Sequence, residues 1–166
     1  MEKIQFFSDV FKVKRQVKIV YLYLDLSVCE RCQGTEQVLI EAIELLKPVF
    51  SVMDIELTLS KINIINEELA IKHEFISSPT IRVDGRDLAM EVKENSCSSC
   101  SDLSGEAVDC RVWMYKDQEY SEPPLALIVE RMIEMIFCKS EDFEKPLYVL
   151  PENLAVYYEG FKKVNK

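Results

Sequence analysis

Two apolar segments with different periods set the expected architecture of this chain. The segment VKIVYLYLDL (17–26) is almost continuously apolar and rich in β-branched and aromatic residues, which predicts a strand buried on both faces. From Thr35 to Met53, apolar residues recur at spacings of three and four, which predicts an amphipathic helix. The segment DIELTLSKINI (54–64) alternates apolar and polar residues, which predicts a second strand. Strand, helix and strand in this order predict a parallel pair joined by a right-handed crossover.

A hairpin is predicted further along the chain. Asn66 is placed to cap a short helix, which leads into SSPTIRVDGRDLAMEV (77–92). In that segment Asp84 and Gly85 separate two apolar stretches, a pattern typical of a tight turn between antiparallel strands. We therefore expect a third strand before Asp84 and a fourth strand over 87–92.

The remaining residues divide into an insertion, a last core helix and a tail. Residues 93–122 are polar and turn-rich, contain cysteines, and end in a small predicted strand pair. Apolar residues at helical spacing predict a helix over 123–139. The sequence therefore predicts one α/β domain over 1–139, with a central mixed sheet of about four strands flanked by helices and a Cys-rich insertion before the last core helix. Residues 140–166 are predicted to form a linker and a short helix that docks on this domain or on a partner.

Composition and charge restrict the class of function. With 166 residues, 48% of them hydrophobic and 30% charged, the chain is typical of a soluble globular domain. Its net charge of −9 argues against nucleic acid, because binding to phosphates relies on Lys and Arg. No apolar run reaches the ~20 residues that cross a bilayer, and the first residues lack the pattern of a signal peptide. We therefore expect a cytoplasmic protein without a membrane or nucleic-acid partner.

Six cysteines in a chain expected in the cytoplasm indicate redox or metal chemistry rather than permanent disulfides. Cys29 and Cys32 lie where the first strand meets its helix. A thiol at a helix N-terminus faces unpaired backbone N–H groups, which favour its thiolate. Cys29 is therefore the predicted nucleophile, and Cys32, one turn along, is placed to attack a mixed disulfide and release the product.

The order of the elements and two motifs resemble the thioredoxin fold. The motifs are CERC at 29–32, between the first strand and its helix, and SSPT at 77–80, before the third strand. The segments YLYLDLSVCERCQGT, SSPTIRVDGRDLAMEV, CSSC, VDCRVWMY and PENL are more closely similar to a thioredoxin-like family of bacteria and archaea that is catalogued as a domain of unknown function. The resemblance implies a cis peptide bond at Pro79, which lays the backbone of Ser78 beside Cys29 and offers hydrogen-bond partners to an extended substrate.

A second group of cysteines lies in the insertion. The antiparallel fourth strand should return toward Cys29, so Cys97, Cys100 and Cys110 are expected within about 10 to 15 Å of the first pair. Three interpretations stay open. In the first, the Cys97/Cys100 pair relays electrons to or from the first pair, and Cys110 serves as a resolving thiol. In the second, these three cysteines bind Zn²⁺ or a softer ion, with Cys29, Cys32 or an external group as the fourth ligand. In the third, a zinc knuckle or a disulfide only stabilises the loop.

Structural roles are expected for the other candidate groups. Cys138 ends an apolar helix and is predicted to be buried and inert. His73, the one histidine, lies on the predicted short helix and is expected at the surface or at the helix cap. Asp25 is expected to have a local or solvated role rather than to accept a proton during exchange.

The predicted function is that of a cytoplasmic thiol-disulfide oxidoreductase. Cys29 attacks, Cys32 resolves, the partner is a protein or small-molecule disulfide or thiol, and no cofactor is required. The alternative is a module that binds zinc or a thiophilic metal or metalloid through Cys97, Cys100 and Cys110 with Cys29 or Cys32, without turnover. A third interpretation keeps the fold but makes it an adaptor that docks through its C-terminal helix.

Overall fold

The computed structural model describes residues 14–138 and 146–166 of the chain. In chain order, the elements within these ranges are β1 (Arg15–Tyr23), α1 (Glu30–Val52), β2 (Ile55–Asn63), α2 (Glu67–Lys72), β3 (Thr80–Val83), β4 (Arg86–Asp87), β5 (Lys93–Ser96), α3 (Ser98–Ser104), β6 (Asp109–Tyr115), β7 (Gln118–Tyr120), α4 (Leu125–Phe137) and α5 (Glu152–Val164). None of these helices is long and apolar enough to cross a membrane. The linker predicted from residue 140 lies largely outside the described residues.

The larger sheet has four strands in the order β2-β1-β3-β4. β1 runs parallel to β2, with Arg15 opposite Ile55 and Tyr23 opposite Asn63, and α1 connects the two strands. β3 runs antiparallel to β1, and β4 runs antiparallel to β3. The prediction of a mixed α/β fold around a four-stranded mixed sheet is therefore confirmed.

The two faces of β1 belong to two separate apolar cores. Val17, Ile19 and Tyr21 are completely buried in the core that includes α1 and α4. Leu22, on the opposite face, belongs to a second core that contains cysteines and part of α5. This double burial explains the nearly continuous apolar sequence of β1, because burying each large apolar side chain stabilises the fold by about 1.5 to 3 kcal/mol.

β4 is shorter than predicted. The sequence indicates a strand over 87–92, whereas the strand ends at Asp87. The Asp87 carboxylate accepts a hydrogen bond from the Ala89 N–H (3.0 Å), which closes an Asx turn and ends the ladder. Leu88 still donates its N–H to the Ile81 carbonyl and is fully buried. The predicted strand is therefore wrong beyond Asp87.

Residues 93–122 form a small sheet and a short helix. β5, β6 and β7 pair antiparallel in that order. The predicted strand pair corresponds to β6 and β7, whereas β5 and α3 were not predicted. Trp113 of β6 is buried in the core that includes α1 and α4, and Arg111 forms a bidentate ion pair with Asp87 (2.9 and 2.8 Å). These contacts fix the small sheet against the rest of the fold.

α5 packs against the chain's own domain. Leu154, Tyr157 and Tyr158 are almost completely buried in the core that contains the cysteines. The Tyr158 hydroxyl donates a hydrogen bond to the carbonyl of Ile64, just after β2 (2.8 Å). Of the two docking partners expected for the C-terminal helix, its own domain is the one that α5 contacts in the structure.

Candidate thiolate centre

Five of the six cysteines are buried together. All six lie in the described part of the chain, and none forms a disulfide. The relative exposure is 4% for Cys97 and 0% for each of the others in this group, which are Cys29, Cys32, Cys100 and Cys110.

Cys138 is exposed, so the prediction that it is buried is wrong. It follows the last turn of α4 in an extended conformation (φ −83°, ψ 135°). Its side chain therefore lies off the buried face of that helix, which includes Ile128, Met132 and Ile136. His73, by contrast, is the C-cap residue of α2, in agreement with the sequence.

The turn between β1 and α1 positions the first pair of cysteines. The Asp25 carboxylate accepts hydrogen bonds from the N–H groups of Ser27 (2.7 Å) and Val28 (2.8 Å), so it has the local role expected of it. Cys29 is the N-cap residue of α1, and its Sγ accepts the Cys32 N–H at 3.4 Å. This cap fixes the sulfur of Cys29 at the start of the helix.

Cys32 is held from the sheet side. The Tyr21 hydroxyl donates to the Cys32 carbonyl (2.6 Å), which ties the first turn of α1 to β1. The Cys32 Sγ lies 3.4 Å from the Ser78 Oγ, and that hydroxyl oxygen also accepts the Leu24 N–H (3.2 Å). The predicted residues Cys32 and Ser78 are therefore in direct contact.

The second group of cysteines lies on a loop closed by hydrogen bonds. The Cys97 N–H donates to the Val108 carbonyl (2.9 Å), and the Val108 N–H donates to the Ser101 Oγ (3.0 Å). α3 is followed by Gly105, whose φ of 70° lies in the left-handed region that favours glycine. The chain thereby reverses direction, and Cys110 on β6 returns to the beginning of α3.

The two segments bring their sulfur atoms together. The Sγ atoms of Cys29, Cys97 and Cys100 all lie within 4.8 Å of one another. The Sγ of Cys110 lies 3.3 Å from that of Cys100. Among the described residues, no other set of three or more metal-ligating side chains lies so close together. The separations among Cys29, Cys97 and Cys100 lie well inside the limit of about 10 to 15 Å expected from the sequence.

Arg31 joins the two segments. Its guanidinium donates to the Cys110 carbonyl (2.9 Å) and, at 3.4 Å each, to the carbonyls of Ser96 and Arg111. The side chain thus spans from the first turn of α1 to β5 and β6. No signal in the sequence indicates this role, because the acceptors are backbone carbonyls far along the chain.

The buried thiols differ in the direction in which their surroundings shift their pKa values. Hydrogen bonds from the thiols of Cys100 and Cys32 lower the pKa of Cys29. Hydrogen bonds from Cys100 and Cys110 lower the pKa of Cys97. The pKa values of Cys32 and Cys100 are raised, because each thiol donates to a neighbouring cysteine and is buried. The two cysteines with lowered pKa values, Cys29 and Cys97, thus lie among three whose pKa values are raised, Cys32, Cys100 and Cys110.

The sequence of the chain was compared with known protein families. The family described as a domain of unknown function, DUF2703, matches residues 17–132, a range that includes all five buried cysteines. The chain belongs to the DUF2703 family. Separate comparisons with curated proteins and with solved structures gave no match. Because the family description states no activity, function has to be inferred from the site.

In this DUF2703 domain, the edge expected to bind a substrate is occupied by the chain itself. The peptide bond between Ser78 and Pro79 is cis, as the resemblance implies. The Ser78 carbonyl accepts the N–H of Arg111 (2.7 Å), and Ser78 is only 1% exposed. β6 therefore lies where an extended substrate was expected, and in this conformation the Ser78 carbonyl already has a partner.

α5 covers the cysteines of the DUF2703 domain, although it lies outside the matched residues. Burial raises the pKa of the Tyr157 phenol, and the nearby Cys100 and Asp25 add to the effect, which indicates that the ring lies close to the cysteines. The Asn153 side chain exchanges two hydrogen bonds with the backbone of Asp109 (2.9 and 2.6 Å). A large substrate could reach the sulfur atoms only if α5 or β6 moved.

Proposed function

We propose that this chain is a thioredoxin-like domain that binds a thiophilic metal ion through four cysteines. The four are Cys29, Cys97, Cys100 and Cys110. The observation that carries the proposal is the approach of Cys29, Cys97 and Cys100, whose Sγ atoms come from two distant segments and lie within 4.8 Å of one another. Cys110 supplies a fourth sulfur, 3.3 Å from Cys100. Thiolate sulfur is a ligand that zinc and softer ions prefer.

The dimensions of the group suit a tetrahedral ion. Four sulfur atoms at ~2.3 Å from Zn²⁺ lie about 3.8 Å from one another. This value falls between the 3.3 Å from Cys100 to Cys110 and the 4.8 Å limit on the separations among Cys29, Cys97 and Cys100. The sulfurs are buried among apolar and aromatic side chains, and four protein sulfurs would fill every position of a tetrahedral ion, as in structural zinc sites. Cys110 lies outside the group of three close sulfurs, so its side chain has to move toward Cys29 and Cys97 to complete the site.

A positive charge next to the site also supports the proposal. Four thiolates around a divalent ion carry a net negative charge, and the Arg31 guanidinium donates to the backbone carbonyl of one proposed ligand, Cys110 (2.9 Å). Outer contacts of this kind orient metal ligands and tune their affinity. Arg31 therefore has two expected effects, which are to hold Cys110 in place and to offset the charge.

The thioredoxin-like assignment is supported by the topology. β1 and β2 are parallel and connected by α1, whereas β3 and β4 follow antiparallel on the other side of β1. The CERC motif begins α1, so Cys29 and Cys32 occupy the positions expected of a redox dithiol in such a fold. The fold alone is compatible with metal binding and with redox chemistry, because function lies in the site.

Thiol-disulfide exchange is the second candidate, and the helix N-terminus at Cys29 favours it. Cys32 is placed to resolve, and the approach of Cys97 and Cys100 would let a disulfide pass along the cluster. However, Cys29 and Cys32 are fully buried, and the Ser78 carbonyl is bonded within the chain. A protein disulfide has no approach in this conformation, so in this case we propose a small disulfide or thiol as the partner.

Metal analysis of the reduced protein tests the proposal. Protein that is reduced, loaded with Zn²⁺ and desalted is expected to retain about one zinc per chain and to protect about four thiols from a thiol reagent. Cys97→Ser should lose the zinc, whereas Cys138→Ser, which changes the exposed cysteine outside the cluster, should retain it. Co²⁺ in place of Zn²⁺ should give the intense thiolate-to-metal absorption of a tetrahedral sulfur site.

Two results would count against metal binding. One is protein that keeps no zinc after desalting, and the other is a set of buried thiols that react equally fast with and without zinc. If that metal-free protein reduces a small disulfide, and Cys29→Ser loses this activity while Cys138→Ser keeps it, thiol-disulfide exchange is the function instead.

A further inference from the structure

Cys29 belongs to two groups of thiols at once. Its Sγ lies within 4.8 Å of those of Cys97 and Cys100, in the proposed metal site. It also accepts the Cys32 N–H at 3.4 Å. The thiolate is the metal ligand, and a sulfur bonded in a disulfide is no longer a thiolate. Metal bound through Cys29 and a disulfide between Cys29 and Cys32 are therefore mutually exclusive states.

Cys32 is the one buried cysteine outside the four proposed ligands. Its Sγ contacts the Ser78 hydroxyl (3.4 Å), and its backbone carbonyl is held by Tyr21 (2.6 Å). A single helical turn separates it from Cys29, which is the spacing at which Cys-X-X-Cys pairs form disulfides. The structure thus keeps a thiol that binds no metal beside one that does.

Burial limits what can oxidise this pair. Cys29 and Cys32 are both 0% exposed, the Ser78 carbonyl is bonded to the Arg111 N–H, and α5 packs over the cysteines through Tyr157. A protein disulfide could reach this pair only if α5 or β6 moved. Hydrogen peroxide is little larger than water and needs a much smaller opening of the chain, so it is the class of oxidant that we expect to reach these sulfurs.

We propose that Cys29 and Cys32 form a hydroperoxide-operated switch that releases the metal ion, an inference that rests on the proposed metal site. The Cys29 thiolate attacks one oxygen of hydrogen peroxide, the O–O bond breaks, and the products are a sulfenic acid on Cys29 and hydroxide. The Cys32 thiol then attacks the Cys29 sulfur, a disulfide forms, and the sulfenic hydroxyl leaves with the thiol proton as water. Two electrons pass from the cysteine pair to the peroxide.

The loss of Cys29 has a specific effect on the metal site. The other three proposed ligands lie within residues 97–110, so Cys29 is the one ligand that connects the ion to α1. Three remaining thiolates leave one coordination position open to water or to a competing chelator. We therefore expect the oxidised protein to release the ion and the re-reduced protein to bind it again.

Peroxide treatment of the zinc-loaded, full-length protein tests the switch. Zinc release is followed with a chromogenic chelator, and disulfides are mapped by mass spectrometry of peptide digests. In the wild type and in Cys138→Ser, we expect a Cys29–Cys32 disulfide to form in step with zinc release, and zinc to rebind after reduction. Cys32→Ser and Cys32→Ala should bind zinc beforehand, but their Cys29 sulfenic acid lacks the Cys32 thiol, and the other neighbouring sulfurs, those of Cys97 and Cys100, are held as ligands of the ion. The sulfenic acid should be oxidised further to sulfinic acid, and the ability to rebind zinc should be lost.

The zinc content before peroxide separates the two proposals. A protein that holds no zinc overturns the proposed metal site and the switch with it. A protein that holds zinc but releases it in step with a Cys100–Cys110 disulfide overturns the switch alone. The switch alone is also overturned if both Cys32 variants recover zinc binding as completely as the wild type.

Discussion

Gly160→Ala in α5 is expected to loosen the helix that covers the cysteines. Gly160 faces the end of α3, where an added Cβ would lie 2.6 Å from the Glu106 Cγ and closer still to the Ser104 carbonyl oxygen. The Glu106 side chain can rotate away, but the Ser104 carbonyl belongs to the backbone. Alanine at this position therefore forces α5 to shift away from α3.

Two opposing effects determine the magnitude. Replacing glycine by alanine within a helix stabilises it by about 1 kcal/mol. Overpacking costs about 1 to 3 kcal/mol, and the short approach to the Ser104 backbone indicates the upper part of this range. We therefore expect the docking of α5 to weaken by about 1 to 2 kcal/mol. That change raises the fraction of molecules with α5 undocked by about 5- to 30-fold.

Thiol labelling measures this fraction. A neutral alkylating reagent should label the buried cysteines of reduced, metal-free Gly160→Ala about 5- to 30-fold faster than those of the wild type. Cys138 is exposed in both proteins, so its labelling rate is an internal reference. Gly34→Ala is the matched control, because the three atoms nearest to its added Cβ all belong to the carboxyl group of Glu122, an exposed side chain that can move. It should label like the wild type and be as stable or slightly more stable.

Two outcomes would refute the role given to Gly160. The first is labelling of the buried thiols in Gly160→Ala no faster than in the wild type, which would mean that α5 does not control access to the cysteines. The second is a higher free energy of unfolding for Gly160→Ala than for the wild type in urea, which would mean that α3 gives way to the new methyl group.

Three further substitutions are expected to change the free energy of unfolding to different degrees, measured in urea. Asp87→Asn leaves the fully buried Arg111 guanidinium without its carboxylate and should be destabilising by about 3 kcal/mol. Glu44→Gln removes an ion pair exposed to solvent on α1 and should change stability little. Tyr158→Phe removes the buried hydrogen bond to the Ile64 carbonyl, and should cost about 1 kcal/mol and speed thiol labelling. Wild-type stability of Asp87→Asn, or unchanged labelling of Tyr158→Phe, would contradict the roles assigned to these contacts.

The larger sheet could be predicted from the sequence because its signals are local. The apolar run that becomes β1, the alternation in β2 and the Asp84–Gly85 turn each reflect a periodicity or a turn preference within a few residues. The end of β4 was missed because one side-chain hydrogen bond, from Ala89 to Asp87, competes with strand pairing. Such a choice between a turn and a ladder is not visible in the apolar pattern.

α3 was missed for a different reason. Its sequence, SSCSDLS, is polar and poor in strong helix formers, so the sequence favoured a loop. The helix is held by its surroundings, with Cys100 and Ser104 buried and Gly160 of α5 close to its end. A helix of this length is stabilised mainly by packing, and the packing partner lies far along the chain.

The grouping of the cysteines could be predicted only in part. The topology places Cys97, Cys100 and Cys110 within about 10 to 15 Å of the first pair, and in the structure the Sγ of Cys29 lies within 4.8 Å of those of Cys97 and Cys100. Backbone contacts between distant segments cause this, chiefly the Arg111 N–H on the Ser78 carbonyl and the Arg31 guanidinium on the carbonyls of β5 and β6. Backbone acceptors leave no trace in side-chain patterns, so the sequence could place the two groups of cysteines near each other but could not show which sulfur atoms lie closest. Cys29 is shared between the proposed metal site and the pair with Cys32, so the number of sulfurs that can bind one ion depends on whether Cys29 is bonded to Cys32. Metal binding and redox chemistry are then alternative states of one centre.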